Sequence, residues 1–127
     1  MTTCIVEAHR LDGFVVVDAR SHERFTGAVP EPRPGLRAGH MPGAVNVPFT
    51  ELLVDGRTMR GPAELRAILD RAVPADRRPI ASCGSGVTAT VVLLALELVG
   101  RDDGLLYDGS WSQWGGSDGG EVVTGET

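Results

Sequence analysis

The chain has 127 residues, 42% of them hydrophobic, which fits one domain able to bury roughly two-thirds of its unfolded surface. A net charge of -5 and a pI near 5.1 argue against nucleic acid or an anionic membrane surface as the main partner, because both reward a basic patch. No basic segment leads into an apolar stretch at the N-terminus, and no apolar run reaches about 18 residues, so a cytoplasmic protein that neither is exported nor spans a membrane is expected. All twelve basic residues are arginine, which makes every fixed side-chain cation a guanidinium, suited to bidentate pairing with carboxylates or sulfonates. Cys4 and Cys83 make no disulfide framework and no metal-ligand spacing, so reduced thiols are expected.

In chain order, "TTCIVEAHRL" (Thr2 to Leu11) is a weakly amphipathic helical candidate and "FVVVDA" (Phe14 to Ala19) a β-branched strand. The proline-rich stretch from Gly27 to Gly43 is a loop, followed by a strand in "GAVNVPF" (Gly43 to Phe49). "GPAELRAILDRAV" (Gly61 to Val73) places Leu65, Ile68, Leu69 and Val73 at helical spacing, with Pro62 at a favoured first position. "RPIASC" (Arg78 to Cys83) is a third strand, and Thr88 to Val99 is apolar nearly all round, a buried helix ended by Gly100. "GLLYDG" (Gly104 to Gly109) is the last strand, and the glycine-rich tail from about residue 115 to 127 is expected to be mobile. Strands alternating with helices predict a single α/β domain over residues 1–127 with a mainly parallel sheet. There is no internal repeat.

Cys83 falls between an apolar strand and a buried helix, with Gly84 and Gly86 directly after it. In such a turn consecutive backbone N–H groups form an anion-binding nest, reinforced by the helix dipole, and a thiol there is stabilised as thiolate. A buried, inert cysteine fits the same spacing. A phosphatase loop closes with an arginine that holds the phosphoryl oxygens, but positions 88 and 89 are Thr and Ala and no basic residue lies between Gly84 and Gly100. Papain-like catalysis needs a paired histidine, which none of His9, His22 and His40 shows in sequence, and a thioredoxin-type centre needs C-x-x-C. Attack on a sulfane sulfur remains, giving a persulfide that a nest of N–H donors stabilises.

At this point the chain resembles the rhodanese superfamily, whose fold is a three-layer α/β sandwich with helices flanking a mainly parallel sheet. "CGSGVTA" (Cys83 to Ala89) resembles the active-site loop of 3-mercaptopyruvate sulfurtransferases, and "VVDAR", "GHMPGAVNVPF" and "YDGSWSQWG" match other recurring family segments, in order, over residues 14–115. The resemblance implies that Cys83 accepts sulfur, that Gly84, Ser85, Gly86, Val87 and Thr88 cradle its persulfide, and that Ser85 joins a proton relay. It also implies that Arg24 and Arg33 hold the substrate carboxylate and keto group; taken alone, both read as solvated surface charge. Thiosulfate-preferring relatives carry basic side chains just after the cysteine. Here Gly84 and Ser85 are neutral, which favours 3-mercaptopyruvate.

Asp18 could hydrogen-bond the cysteine loop or simply hold a turn. His40 reads as a structural loop residue. Ser110 and Gln113 have capping-box spacing for a short helix bearing Trp111 and Trp114, which read as core or lid packing. The resembling enzymes carry two rhodanese-like domains in tandem, and this chain matches the second, so an N-terminal rhodanese-like domain is an expected partner. The expected activity is sulfur transfer from 3-mercaptopyruvate or thiosulfate, a small-molecule donor, through a Cys83 persulfide to cyanide or a thiol such as reduced thioredoxin. The alternative is a non-catalytic or persulfide-carrier module that depends on the absent domain. No metal or organic cofactor is implied.

Overall fold

A computed structural model describes residues 2–3, 13–84, 88–107, 110–117 and 119–126. Among them, five strands form one parallel sheet in the order β1 (Thr2–Thr3), β7 (Leu105–Tyr107), β6 (Arg78–Ser82), β2 (Phe14–Asp18), β3 (Val45–Asn46). The centre is the β2–β6 pair, in register from Phe14↔Arg78 to Asp18↔Ser82. Along β2 the side chains alternate: Val15 and Val17 enter one core cluster and Val16 the other. Both faces are covered, which is why these strands read as continuous apolar runs.

One face is covered by α2 (Pro62–Ala72) and α3 (Ala89–Leu98), which bring Leu65, Leu69, Val92, Ala95 and Leu96 against Val15, Val17 and Ala81. The other lies against α1 (His22–Thr26) and α4 (Ser110–Trp114), where Phe25, Trp111 and Trp114 pack on Val16 and Ile80. The expected helix 61–73 and the strands at 14–19, 78–83 and 104–109 correspond to α2, β2, β6 and β7 within a residue or two. Gly100 follows α3 at φ 86°, the left-handed conformation that stops a helix.

Three expectations change, and one element was not expected. Thr2–Thr3 is a strand paired with β7, not a helix start, and residues 4–11 of that candidate, Cys4 included, lie outside the described residues. The strand expected over 43–49 shortens to Val45–Asn46, because Pro48 has no N–H for the ladder and leads into a 3₁₀ turn at Phe49–Leu52. Helix α3 is not buried all round: Leu94 and Leu98 are 50% and 48% exposed. A small hairpin, β4 (Leu53–Val54) with β5 (Thr58–Met59), turns through Asp55 and Gly56 at φ 53° and 68°, the Asp-Gly pair that such turns favour.

The glycine-rich tail is also held rather than loose. The Arg37 guanidinium reaches the carbonyls of Trp114, Gly115, Gly116 and Gly120 at 2.8–3.2 Å. Beyond it, His40 and Val123 exchange backbone hydrogen bonds, both 2.9 Å, and the Gly125 N–H donates to the Thr26 carbonyl at 2.8 Å. The tail is therefore a strap across α1 and the proline-rich loop. Arg37→Ala is expected to speed amide exchange at residues 119–126 by about tenfold while leaving β6 protected; unchanged exchange in the tail would show that Arg37 does not hold it.

Candidate active site

Because β2 and β6 are parallel and in register, their carboxyl ends lie side by side, the position where α/β sheets bind ligands. The Ala19 N–H donates to the Ser82 carbonyl at 2.7 Å, so Cys83 leaves the sheet next to the turn at 19–21. From the opposite face the start of α4 reaches the same point: the Trp111 and Ser112 N–H groups donate to the carbonyls of Cys83 and Gly84 at 2.8 and 3.0 Å. Cys83 itself is 1% exposed and belongs to the α2/α3 core.

Above this point lies a cleft of about 330 Å³ whose walls include Arg20, Arg24, Glu31, Arg33, Gly84 and Thr88. The structure thus brings Arg24 and Arg33 together with both described ends of the cysteine loop. Ser85, Gly86 and Val87 lie outside the described residues. Arg24 is delivered by α1, which starts at Ser21, whose hydroxyl accepts from the Arg24 N–H, and stops at Gly27 in the left-handed conformation (φ 83°). Its guanidinium covers Gly84 so closely that a Cβ built there would stand 2.9 Å from Nη2. A side chain there would require the guanidinium tip to shift.

Arg24 is already paired. Nη2 and Nε donate to the two oxygens of Glu31 at 2.7 and 3.1 Å, a bidentate contact to a carboxylate whose side chain is fully buried. That hydrogen bonding raises the Arg24 pKa above its ordinary value; burial opposes the rise, and attraction to the charges of Glu31, Asp18 and Cys83 adds to it. Arg33, by contrast, is exposed and has no hydrogen-bond or ion-pair partner among the described residues.

Asp18 does something more definite than the sequence suggested. Its carboxylate accepts from the Arg20 backbone N–H at 3.0 Å, from Nε at 3.0 and 3.1 Å and from Nη2 at 2.7 Å. Arg20 is 2% exposed. Its Nη2 also donates to the Gly39 carbonyl at 2.7 Å, its guanidinium lies 4.2 Å from the Trp111 ring centroid, and Nη1 faces Glu31 Oε2 at 3.4 Å. The described partners of Asp18 are thus on Arg20, and Arg20 carries the contact on to the loop and to α4.

His40 is structural, as expected: Nδ1 carries a proton toward the Phe25 carbonyl at 2.7 Å, and the ring stacks on Phe25 at 3.8 Å. Trp111 and Trp114 are buried core residues whose indole N–H groups donate to the carbonyls of Arg37 and Glu121. Gln113 accepts from the Tyr107 hydroxyl at 2.8 Å. The sequence reading missed Arg20 and Glu31. A signal existed for the first, since Asp18 and Arg20 are two apart at a strand end and share a side; none existed for Glu31.

Fold and site together define an α/β domain with a cysteine at the end of its central strand, beneath a cleft walled by guanidinium groups. The chain belongs to the rhodanese-like domain family, which it matches over residues 5–117. It is 54% identical over 101 residues to the 3-mercaptopyruvate sulfurtransferase of Escherichia coli K12, covering 79% of this chain and 36% of that protein. It is 46% identical over 103 residues to the thiosulfate sulfurtransferase of Rattus norvegicus, covering 80% and 35%. The crystal structure of the Tum1 protein from Saccharomyces cerevisiae superposes with a TM-score of 0.79 at 34% identity, over 96% of this chain and 43% of that one. The chain spans about a third of the length of these curated relatives.

Asp18→Ala leaves the Arg20 cation buried without its main partner, and a loss of about 3–5 kcal/mol in unfolding free energy is expected. Chemical denaturation checks it; a loss below about 1 kcal/mol would mean that water reaches Arg20 and the pair is not a buried one.

Proposed function

We propose that this chain is a sulfurtransferase domain in which Cys83 takes a sulfur atom from 3-mercaptopyruvate, or less readily from thiosulfate, and passes it as sulfane sulfur to a thiol such as reduced thioredoxin or to cyanide. The observation that carries the reading is the Arg24 guanidinium seated on Gly84, one residue from the sulfur, in a cleft it shares with Arg33.

In this reading the Cys83 thiolate attacks the sulfur of 3-mercaptopyruvate. The carbon–sulfur bond breaks, its electron pair leaves on carbon as the enolate of pyruvate, and that carbon takes a proton. Gly84, Ser85, Gly86, Val87 and Thr88 cradle the persulfide with their N–H groups, and the Ser85 hydroxyl helps to deliver the proton. Arg33 and Arg24 hold the donor's carboxylate and keto oxygen. An acceptor thiolate then attacks the outer sulfur and regenerates Cys83. Relatives named for each donor match at 54% and 46% identity, so the preference for mercaptopyruvate rests on the neutral Gly84 and Ser85.

The covered third of the relatives' length and the 1% exposure of Cys83 support a second reading, in which residues 1–127 form one domain that carries persulfide and turns over only against a companion rhodanese-like domain. Steady-state sulfur transfer from both donors, on the wild type and on Cys83→Ser, separates the two. The expected result is ping-pong turnover that prefers mercaptopyruvate and is abolished by Cys83→Ser. One added sulfur by mass, without repeated pyruvate release, selects the carrier; transfer that survives the substitution overturns both.

A further inference from the structure

The three arginines of the cleft do not present three charges. Arg20 is matched by Asp18 through both carboxylate oxygens, and Arg24 by Glu31 in the same bidentate manner. Glu31 is placed between them, its Oε2 3.1 Å from Arg24 Nε and 3.4 Å from Arg20 Nη1, with no exposed side-chain surface. With two arginines offset by two carboxylates, Arg33 is left as the uncommitted cation among the described residues lining the cleft. The Arg24 edge that Glu31 leaves unused still offers directed N–H donors, but from a pair with no net charge.

We infer that Glu31 is a specificity-determining residue: by offsetting Arg24 it leaves Arg33 as the one unmatched guanidinium among the described residues lining the cleft, which suits a monoanionic α-keto acid and disfavours a dianion such as thiosulfate. The inference rests on the sulfurtransferase reading above and adds a division of labour to it. Arg33 attracts the anion; Arg24, held in place by Glu31, orients it. A dianion in the same cleft has one of its two charges unmatched and must also lie near the Glu31 carboxylate, and like charges at close range are costly wherever water is partly excluded.

Equilibrium binding separates charge selection from catalysis. Calorimetry with thiosulfate and with pyruvate, at two salt concentrations, would compare Cys83→Ser with the double variants that add Glu31→Gln or Glu31→Asp. Glu31→Gln is expected to tighten thiosulfate by about tenfold at low salt, the order expected for one added unit charge in a half-solvated cleft, and pyruvate by less than about threefold. The gain should shrink at high salt. Glu31→Asp keeps the charge and is expected to keep the original ratio of the two affinities. Equal changes for both anions, or weakening of both, would overturn the inference.

Arg33 is exposed, so Arg33→Gln provides a variant that does not depend on a buried pair. It is expected to remove most of the salt dependence of pyruvate binding; salt dependence that persists would show that Arg24 acts as a second free charge, and would also overturn the inference. Persulfide formation on the wild type, read by mass in parallel, separates the two levels. Persulfide with an unchanged anion ratio in Glu31→Gln overturns the role of Glu31 alone, whereas neither persulfide nor anion binding overturns the sulfurtransferase reading and this inference with it.

Discussion

Arg20 carries a permanent positive charge into a position that is 2% exposed, and much of the surrounding structure is arranged to satisfy it. Removing a guanidinium from water costs several kcal/mol before any partner is counted. Here Asp18 takes two of its edges, the Gly39 carbonyl takes an N–H, and the Trp111 ring covers its face. These partners come from the end of β2, the far side of the proline-rich loop and the first turn of α4. One side chain therefore ties together the three segments that surround the cysteine. Such a buried pair adds little net stability compared with an apolar substitute, and its effect here is to fix which segments meet.

The same constraint extends outward. Gly39 can offer its carbonyl to Arg20 because it adopts φ 125°, and a side chain at that position would strike the Val123 carbonyl. The next residue, His40, pairs with Val123 in the strap and stacks beneath α1 on Phe25. The loop that carries Glu31 and Arg33 is thus fastened near both ends, at Thr26 and at His40, by the C-terminal residues. A proline-rich loop with no regular structure of its own can then hold two charged side chains at defined places in a cleft.

The parts of this architecture legible in the sequence are those set by local periodicity. Strands β2 and β6 are covered on both faces and so form short β-branched or apolar runs, and α2 repeats its leucines at helical spacing. Cys83 was identifiable from its place between such a strand and a helix, and the loop glycines pointed to the same site. Contacts distant in sequence left no such trace. Arg37 meets carbonyls 77–83 residues away, and a run of glycines gives no indication that one arginine will hold it in place. The exposed leucines of α3 misled in the other direction, because apolar composition on all sides of a helix does not require that all sides be covered. Glu31 was illegible because it lies among prolines in a segment without periodicity, and its importance arises only from where Arg24 and Arg20 reach.

The close fit of Gly84 beneath the Arg24 guanidinium also limits how this site can diversify. A basic side chain just after the cysteine is one way to place a cation beside the sulfur; a guanidinium reaching over the loop from α1 is another. At this position the two compete for the same space. A lysine or arginine introduced at residue 84 would set its Cβ 2.9 Å from Arg24 Nη2, so the guanidinium tip would have to shift within its bidentate pair with the buried Glu31 carboxylate. Residue 84 and the seat of Arg24 are therefore coupled: a change at one is felt by the buried Glu31 carboxylate through the other.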